Sequence, residues 1–359
     1  MTVERFRAFP RGKTCPGTFL RRLNRFVVEA ELEGKPVLAH LPNPGRLWEI
    51  LFPGTELALL PAPQGPSLKH KVVAARKNGR WICLDTIRTN ALARHLLGRG
   101  AVSGLEGWEV LESEVQSGNS RFDFLLGRGV NRLFLEVKSC TLFQGPMAMF
   151  PDAVTDRGRR HLLELAALGE GPSRGAVLVI SQGPDTRYFL PDYHTDPAFA
   201  RAFLETREKV EVFAVSAGWD EDLFLKEIVR PLEIPWKVLE GTDFDSGAWL
   251  LIRQGEGAPQ RLPFSVVAGV EKSGLDRKMK ALSREFGPSG AKVLPIRGFR
   301  ERTGLLEEAL ASSADGWERS EDFRGRRLFR YSRHPLSVPA FVETLLQFRL
   351  VLQPLGKML

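Results

Sequence analysis

Three residues have the types and spacing for phosphoryl chemistry: Asp123, Glu136 and Lys138. They lie in Arg121-Phe122-Asp123-Phe124-Leu125-Leu126 and Leu133-Phe134-Leu135-Glu136-Val137-Lys138-Ser139-Cys140, and each stretch reads as a strand. Successive strand residues point to opposite faces, so Glu136 and Lys138 share one face while Leu133, Leu135 and Val137 take the other. Asp123, on the neighbouring strand, can be brought opposite them. Two carboxylates and an ammonium on apolar strands are costly to bury unless the charges pair or hold a metal. Carboxylates suit Mg2+ or Mn2+, and Mg2+ takes one or two of them and completes its shell with water and substrate phosphate. A cation there would polarise a phosphoryl oxygen and generate a hydroxide, with Lys138 holding that nucleophile or the developing charge. The chemistry is metal-dependent hydrolysis of a phosphodiester. The same spacing also arises in a surface strand carrying a plain ion pair, and residue types alone leave both readings open.

Several elements must position these groups. The link from residue 127 to 132, Gly-Arg-Gly-Val-Asn-Arg, is rich in turn formers and makes the two strands a hairpin. A strand over Trp108 to Gln116 precedes it. Before that, Thr89-Asn90 offers a cap to a helix with Ala91, Leu92, His95 and Leu96 on one face. After the hairpin, Phe150-Pro151-Asp152-Ala153 leads into an amphipathic helix with Arg157, Arg159 and Arg160 in its first turns. Cations there oppose the helix dipole, a placement that a bound phosphate would explain and solvent exposure would excuse. Gly175 to Ile180 is apolar enough for a buried central strand, and Val210 to Val215 is another. Residues 86–220 thus read helix, three strands, helix, strand, helix, strand: an α/β domain with a mixed sheet. His161, His40 and His95 read as packing or capping residues.

Residues 17–60 read as short β structure. Strands over Phe26 to Leu32 and Pro36 to Leu41 flank a Glu33-Gly34-Lys35 turn, and Pro42-Asn43-Pro44-Gly45-Arg46-Leu47 turns into a short helix. Thr55 to Leu60 is a further strand, and Asn78-Gly79 joins a hairpin of Lys71 to Ala75 and Trp81 to Leu84. Such a meander predicts a small OB-like barrel, a fold that binds single-stranded nucleic acid. Arg21, Arg22 and Arg25 stand at its entrance, and Lys69, Lys71, Arg76 and Lys77 lie along a later strand; either set is phosphate-tracking or simply solvated. Prolines 231 and 235 and the turn at residues 240–243 mark a boundary. Beyond it come strands over Ala248 to Arg253 and Phe264 to Val270, a basic helix from Gly274 to Leu282, and helices over Gly304 to Ala311 and Val338 to Phe348. These read as a small α+β domain. The predicted architecture is an α/β multidomain chain with domains over 1–85, 86–234 and 245–359.

Composition narrows the partners. The chain has 359 residues, a net charge of +8 and a pI of about 9.6, which favours an anionic partner, with nucleic acid the commonest. Three scattered cysteines make neither a disulfide framework nor a zinc site, as in a reducing cytoplasm. No apolar run is long enough to span a membrane, and the first residues lack a signal-peptide core. No small-molecule cofactor is indicated, and a homo-oligomer is compatible with the sequence.

Several ordered motifs resemble the SfsA (sugar fermentation stimulation protein A) family over residues 1 to about 234. They are Arg22-x-x-Arg25-Phe26, the Pro42 to Leu47 turn, Asp85-Thr86 with Thr89-Asn90, and the Ser120 to Leu126 strand. Glu136-Val137-Lys138-Ser139-Cys140-Thr141-Leu142 and Phe150-Pro151-Asp152-Ala153-x-Thr155-x-Arg157-Gly158-x-x-His161 complete the series. The resemblance implies an N-terminal OB-like β-barrel joined to a PD-(D/E)XK nuclease-like domain, with DNA, single-stranded or duplex, as partner. It places the metal-site positions on Asp123, Glu136 and Lys138, with Asp123 and Glu136 as ligands of Mg2+ or Mn2+. Arg22, Arg25, Asn43, Arg46, Arg121 and Arg157 are the candidate DNA contacts. Pro44 and Arg46 stand where many members have Thr and Ser, and Leu41 where they have Cys. The expected activity is that of a metal-dependent deoxyribonuclease; the alternative is a non-catalytic DNA-binding protein acting in regulation of sugar metabolism.

Residues 245–350 resemble, more distantly, a GIY-YIG-like domain, through Trp249-Leu250-Leu251-Ile252, Val266 to Gly269, Gly274-Leu275-x-x-Lys278 and Leu328-Phe329-x-Tyr331 followed by Pro335-Leu336. The strand from Phe264 to Val270 has no tyrosine, and Lys278 stands where that fold's nucleases have arginine, so the resemblance implies an inactive domain. Its basic helix, with Arg277, Lys278, Lys280 and Arg284, holds phosphates or is a solvated face.

Overall fold

Short strands punctuated by residues that tolerate positive φ build the N-terminal domain. The computed structural model describes residues 5–9, 12–64, 68–168, 173–226, 229–254, 264–271, 273–289, 292–297, 317–320 and 328–331. Strands β1 (Cys15–Asn24), β2 (Val27–Leu32), β3 (Lys35–His40), β4 (Glu56–Gln64) and β5 (Leu68–Lys77) pair in the order β3-β2-β1-β4-β5. A parallel β3–β5 contact, Ala39 with His70 and His40 with Lys71, closes them into a five-stranded OB barrel. β6 (Arg80–Cys83) adds antiparallel to β5. Both predicted hairpin turns form: Glu33-Gly34 and Asn78-Gly79 have positive φ at both residues, as tight hairpins require. Phe19, Val28, Leu57, Leu59, Val72 and Ile82 fill the barrel.

One strand here carries no readable period, and one local expectation fails. β1 has no clean alternation because it is bulged between Phe19 and Arg21 and again between Arg22 and Asn24. The short helix expected after Leu47 is one turn, closed by Leu51 N–H on Leu47 O at 2.9 Å, and Leu47 itself has φ 54°.

The next segment contains α1 (Ile87–Gly98), β7 (Glu109–Ser117), β8 (Ser120–Arg128), β9 (Asn131–Cys140), β10 (Phe143–Gln144) and β11 (Met147–Phe150). α2 (Asp156–Ala167), β12 (Ser173–Ser181), β13 (Tyr188–Pro191), α3 (Pro197–Glu205), β14 (Val210–Ser216) and β15 (Arg230–Pro231) follow. The main sheet runs β15-β14-β12-β9-β8-β7 and is mixed: β7, β8 and β9 are antiparallel, whereas β12 is parallel to both β9 and β14. β12 is central and its residues from Gly175 to Ser181 are buried, which is why the stretch is almost wholly apolar. A second sheet, β10-β11-β13, escapes sequence reading because its strands have two to four residues, too few to show a period. Barrel residues Ala58, Val73, Ala74 and Trp81 share one apolar core with Leu96, Phe124, Leu135 and Leu178 of the α/β domain.

Gly175 lets α2 approach the sheet. A Cβ there would stand 2.7 Å from Leu165 Cβ and 2.8 Å from the Leu165 carbonyl oxygen, and the helix backbone cannot yield locally. Gly175→Ala is expected to cost about 1–3 kcal/mol by overpacking. A denaturant midpoint equal to that of the wild type would contradict this close approach.

The chain divides into two compact units, Met1–Asp192 with Ala198–Pro235, and Tyr193–Pro197 with Trp236–Leu359. In the second, α4 (Trp236–Glu240) precedes β16 (Gly247–Gln254), β17 (Phe264–Glu271), α5 (Leu275–Phe286), β18 (Lys292–Arg297), β19 (Trp317–Ser320) and β20 (Leu328–Tyr331). Its sheet runs β18-β16-β17-β20-β19, and Trp249 and Leu251 pack against Leu275 and Leu282 of α5. Lys278 lies over the Trp249 ring at 5.9 Å. The helices expected over Gly304 to Ala311 and Val338 to Phe348, and Pro335-Leu336, lie outside the described residues. Among the described residues no helix is long and apolar enough to cross a membrane.

Candidate metal centre

The site forms where two strands part. β8 and β9 pair from Arg128 with Asn131 up to Phe124 with Leu135, and the ladder stops there. Beyond that point the Asp123 carboxylate replaces a strand partner: its Oδ2 accepts the Val137 backbone N–H at 2.7 Å. Its Oδ1 accepts from Asn90 Nδ2, also at 2.7 Å. β9 continues in register with β12, Glu136 opposite Val177 and Lys138 opposite Val179. Leu133, Leu135 and Val137 enter the shared core, as alternation predicts. On the other face Lys138 Nζ donates to Glu136 Oε1 at 2.5 Å.

Two residues join the site that the sequence assigned elsewhere. His161 was expected only to pack, and it does meet Phe122 edge-on at 5.7 Å. Its Nδ1 also stands 2.7 Å from Glu136 Oε1, close enough for an ion pair though off the line of a hydrogen bond. Arg157 Nε donates to His161 Nε2 at 3.3 Å, which leaves Nδ1 as the ring nitrogen that faces the carboxylate. Asn90 was expected as a helix cap. The helix instead begins at Ile87, and the Thr86 hydroxyl donates to Pro42 O at 2.6 Å rather than capping. Asn90 therefore sits in the first turn of α1 and holds Asp123. The one available signal was the spacing of Thr89-Asn90 and His161 within the ordered motifs; no local pattern separates these roles from capping and packing.

The environments set the two carboxylates apart. Burial, then the charge of Glu136, raises the pKa of Asp123 above the usual Asp range, and the hydrogen bonds from Val137 and Asn90 only partly offset this. Burial also opposes ionisation of Glu136, but His161 and Lys138 together outweigh it and hold that carboxyl below its usual range. Glu136 Oε2 is buried and has no hydrogen-bond partner among the described residues. A buried carboxylate oxygen without a donor is costly, and a cation would satisfy it. Among the described residues no group of three or more His, Cys, Asp or Glu side chains forms a metal cage. The fit is therefore to an ion that takes one or two carboxylates and fills its shell with water and substrate oxygen, as Mg2+ does.

The candidate DNA contacts are dispersed. Arg25, Asn43, Thr86, Asn90, Lys138 and Thr155 line a cleft of about 260 Å3. Arg22, Arg25 and Arg46 line a second hollow on the barrel with Phe19 and Trp48. The Arg22 guanidinium donates to the carbonyls of Gly45 at 2.7 Å, Arg46 at 2.8 Å and Arg25 at 2.7 Å, so it braces the 42–47 turn. Asn43 Oδ1 accepts from Gly45 N at 2.9 Å, and Asp152 Oδ2 accepts from Leu47 N at 2.8 Å, tying that turn to the α/β domain. Arg121 is exposed and faces Glu114 at 3.5 Å. In α2, Thr155 Oγ1 caps Gly158 N at 2.9 Å and Asp156 stands 3.5 Å from Arg159, which eases the cationic first turn. Of the later-strand cations, Lys71 pairs with Asp85, Arg76 with Glu56 and Glu221, and Lys77 Nζ donates to Phe143 O.

Comparison with known proteins follows this division of the chain. Residues 20–84 match a family profile described as the SfsA N-terminal OB domain, and residues 87–222 match the sugar fermentation stimulation protein RE domain. The chain is 43% identical over 201 residues to a sugar fermentation stimulation protein homolog of Moorella thermoacetica, covering 55% of this chain and 87% of that one. It is 42% identical over 185 residues to the Thermoplasma acidophilum homolog, covering 52% and 77%. A structure of Pyrococcus furiosus SfsA in complex with Ca2+ is similar with a TM-score of 0.58 and 28% identity, over 64% of this chain and 99% of that one. Residues 236–359 of the second unit lie beyond the profile matches. With its OB barrel, its mixed-sheet domain and relatives matched over most of their length, the chain belongs to the SfsA family.

Proposed function

We propose that this protein is a divalent-cation-dependent nuclease acting on DNA, with Asp123 and Glu136 as cation ligands and Lys138 as the group that holds the attacking water. The observation that carries the reading is the buried, unpartnered Oε2 of Glu136, on a carboxylate kept ionised beside a lysine. The Ca2+ in the related Pyrococcus furiosus structure supports it, because Ca2+ and Mg2+ are both oxygen-seeking cations. A bound cation would supply Lewis-acid polarisation of a phosphoryl oxygen and lower the pKa of water at the site. Hydrolysis forms a bond from a water oxygen to phosphorus as the bond from phosphorus to the leaving sugar oxygen breaks. The Lys138 ammonium, now on Glu136 Oε1, is placed to orient that water and to stabilise charge on the phosphoryl oxygens. Asn90 and His161 are positioning residues, which fix the rotamers of Asp123 and Glu136.

The test is purified protein with Mg2+ or Mn2+ on single-stranded and duplex DNA. Cleavage is expected, is expected to stop with a chelator, and should fall about 10²- to 10³-fold in Lys138→Ala. Cleavage that ignores both chelator and substitution would overturn the assignment. Salt-sensitive binding without turnover under either metal would leave a DNA-binding protein that does not cut.

A further inference from the structure

The two hollows described above are not independent. The inner cleft beside Lys138 and the outer hollow beside Trp48 share three lining residues, Arg25, Pro44 and Gly45. The Pro44-Gly45 turn is thus a low wall between them, and Arg25 stands on both sides of it. Their volumes are about 260 and 310 Å3, the small end of ligand pockets and room for one nucleotide-sized group each. The outer hollow has an aromatic floor: Trp48 is half-buried and the Arg46 guanidinium lies over its ring at 5.1 Å. Phe26, 47% exposed, lies under Arg25 at 5.6 Å. Cations beside an aromatic face are what a single strand uses, a base stacking on the ring and its phosphates meeting the guanidinium groups. The wall is held by contacts on both sides. Arg22 braces it by its carbonyls, Asn43 closes it from inside, and Asp152 ties it to the α/β domain.

We infer that the substrate is single-stranded DNA laid across the Pro44-Gly45 wall, with one base in the Trp48 hollow, Arg25 on the intervening phosphate, and the adjoining nucleotide in the cleft beside Lys138. This rests on the nuclease reading above and narrows it. A base in a duplex reaches such a hollow only by unpairing and flipping, which costs a few kcal/mol. A single strand has no such cost, so the geometry selects the unpaired form. The wall also gives Asn43 a structural role: its Oδ1 accepts from Gly45 N, so the side chain shapes the wall.

The experiment is fluorescence anisotropy of the full chain with a labelled oligothymidylate and with a hairpin duplex of matched length, in Ca2+, at several salt concentrations. The single strand is expected to bind more tightly. Trp48→Ala is expected to weaken single-strand binding roughly 5- to 100-fold, the loss of one stacked base, with Trp48→Phe retaining most of it. Arg25→Gln is expected to reduce the log–log salt slope by about 0.7 for the single strand, one phosphate contact. Equal or tighter binding of the duplex, or single-strand affinity unchanged in Trp48→Ala, would overturn the inference. If duplex DNA is cut in a Lys138-dependent way with no preference for the single strand, this inference falls and the nuclease reading stands. If neither DNA binds, both fall.

Discussion

Asp123→Asn is expected to abolish metal-dependent cleavage, by about a thousandfold or more, while raising the melting temperature of the metal-free protein. The two effects share one cause. Asp123 is held in a buried site next to Glu136, so its ionised form is disfavoured without a cation, and its pKa is raised. A group whose pKa is higher folded than unfolded binds protons more tightly in the native state, so stability falls as pH climbs from the unfolded pKa through the folded one. The amide removes that loss and keeps the shape. Its oxygen accepts the Val137 N–H as the carboxylate does, and the Asn90 amide can turn over to accept from the new NH2 group. The stability gain is therefore expected at neutral pH and should vanish below the ordinary Asp range, near pH 4, where the wild-type carboxyl is itself neutral. Melting curves in chelator between about pH 4 and pH 8 measure it. Wild-type cleavage rates in the variant would sink the ligand assignment, and a lower melting temperature at neutral pH would sink the electrostatic account.

The second large effect concerns the barrel, not the site. Asp85→Ala is expected to destabilise the first unit by about 3 kcal/mol, a fall in melting temperature of roughly 6–12 °C. Asp85 is almost fully buried between β6 and α1, and its Oδ2 meets Lys71 Nζ at 2.5 Å. Truncating it leaves a largely buried ammonium without a counter-charge, and that uncompensated charge, not the value of the pair, sets the size of the loss. Lys71→Met combined with Asp85→Leu should recover most of the stability, because the pair is then replaced rather than broken. An Asp85→Ala protein melting within about 2 °C of wild type would show that Lys71 reaches water instead.

How much of this was legible depends on the range of the interaction. The hairpin of Asp123, Glu136 and Lys138 could be read directly, because strand alternation is local and because burying three charges on apolar strands demands an explanation. The Glu33-Gly34 and Asn78-Gly79 turns were legible for a similar reason, since few residues accept positive φ in a tight hairpin. The central strand Gly175 to Ile180 announced its burial by composition alone. β1 did not, since two bulges erase its period, and the β10-β11-β13 sheet did not, since its strands are shorter than any period.

The roles of His161, Asn90 and the basic residues were decided only in three dimensions. The sequence could show that Lys71, Arg76 and Lys77 are cations, but whether each faces solvent or an internal partner depends on what another segment places opposite; here Asp85, Glu221 and the Phe143 carbonyl occupy those positions. His161 and Glu136 are distant in sequence and meet because α2 packs on β12 and β8, the two strands that flank β9. Side-chain period tells which way a residue points along its own element. What it points at is set by the packing of elements, and that depends on the summed contacts of the whole core. The sequence by itself thus determined which groups have the chemistry for a cation and a phosphodiester. The tertiary structure decided that the ladder opens at Asp123, that Asn90 and His161 hold the two carboxylates, and that one oxygen of Glu136 stays buried and unpartnered.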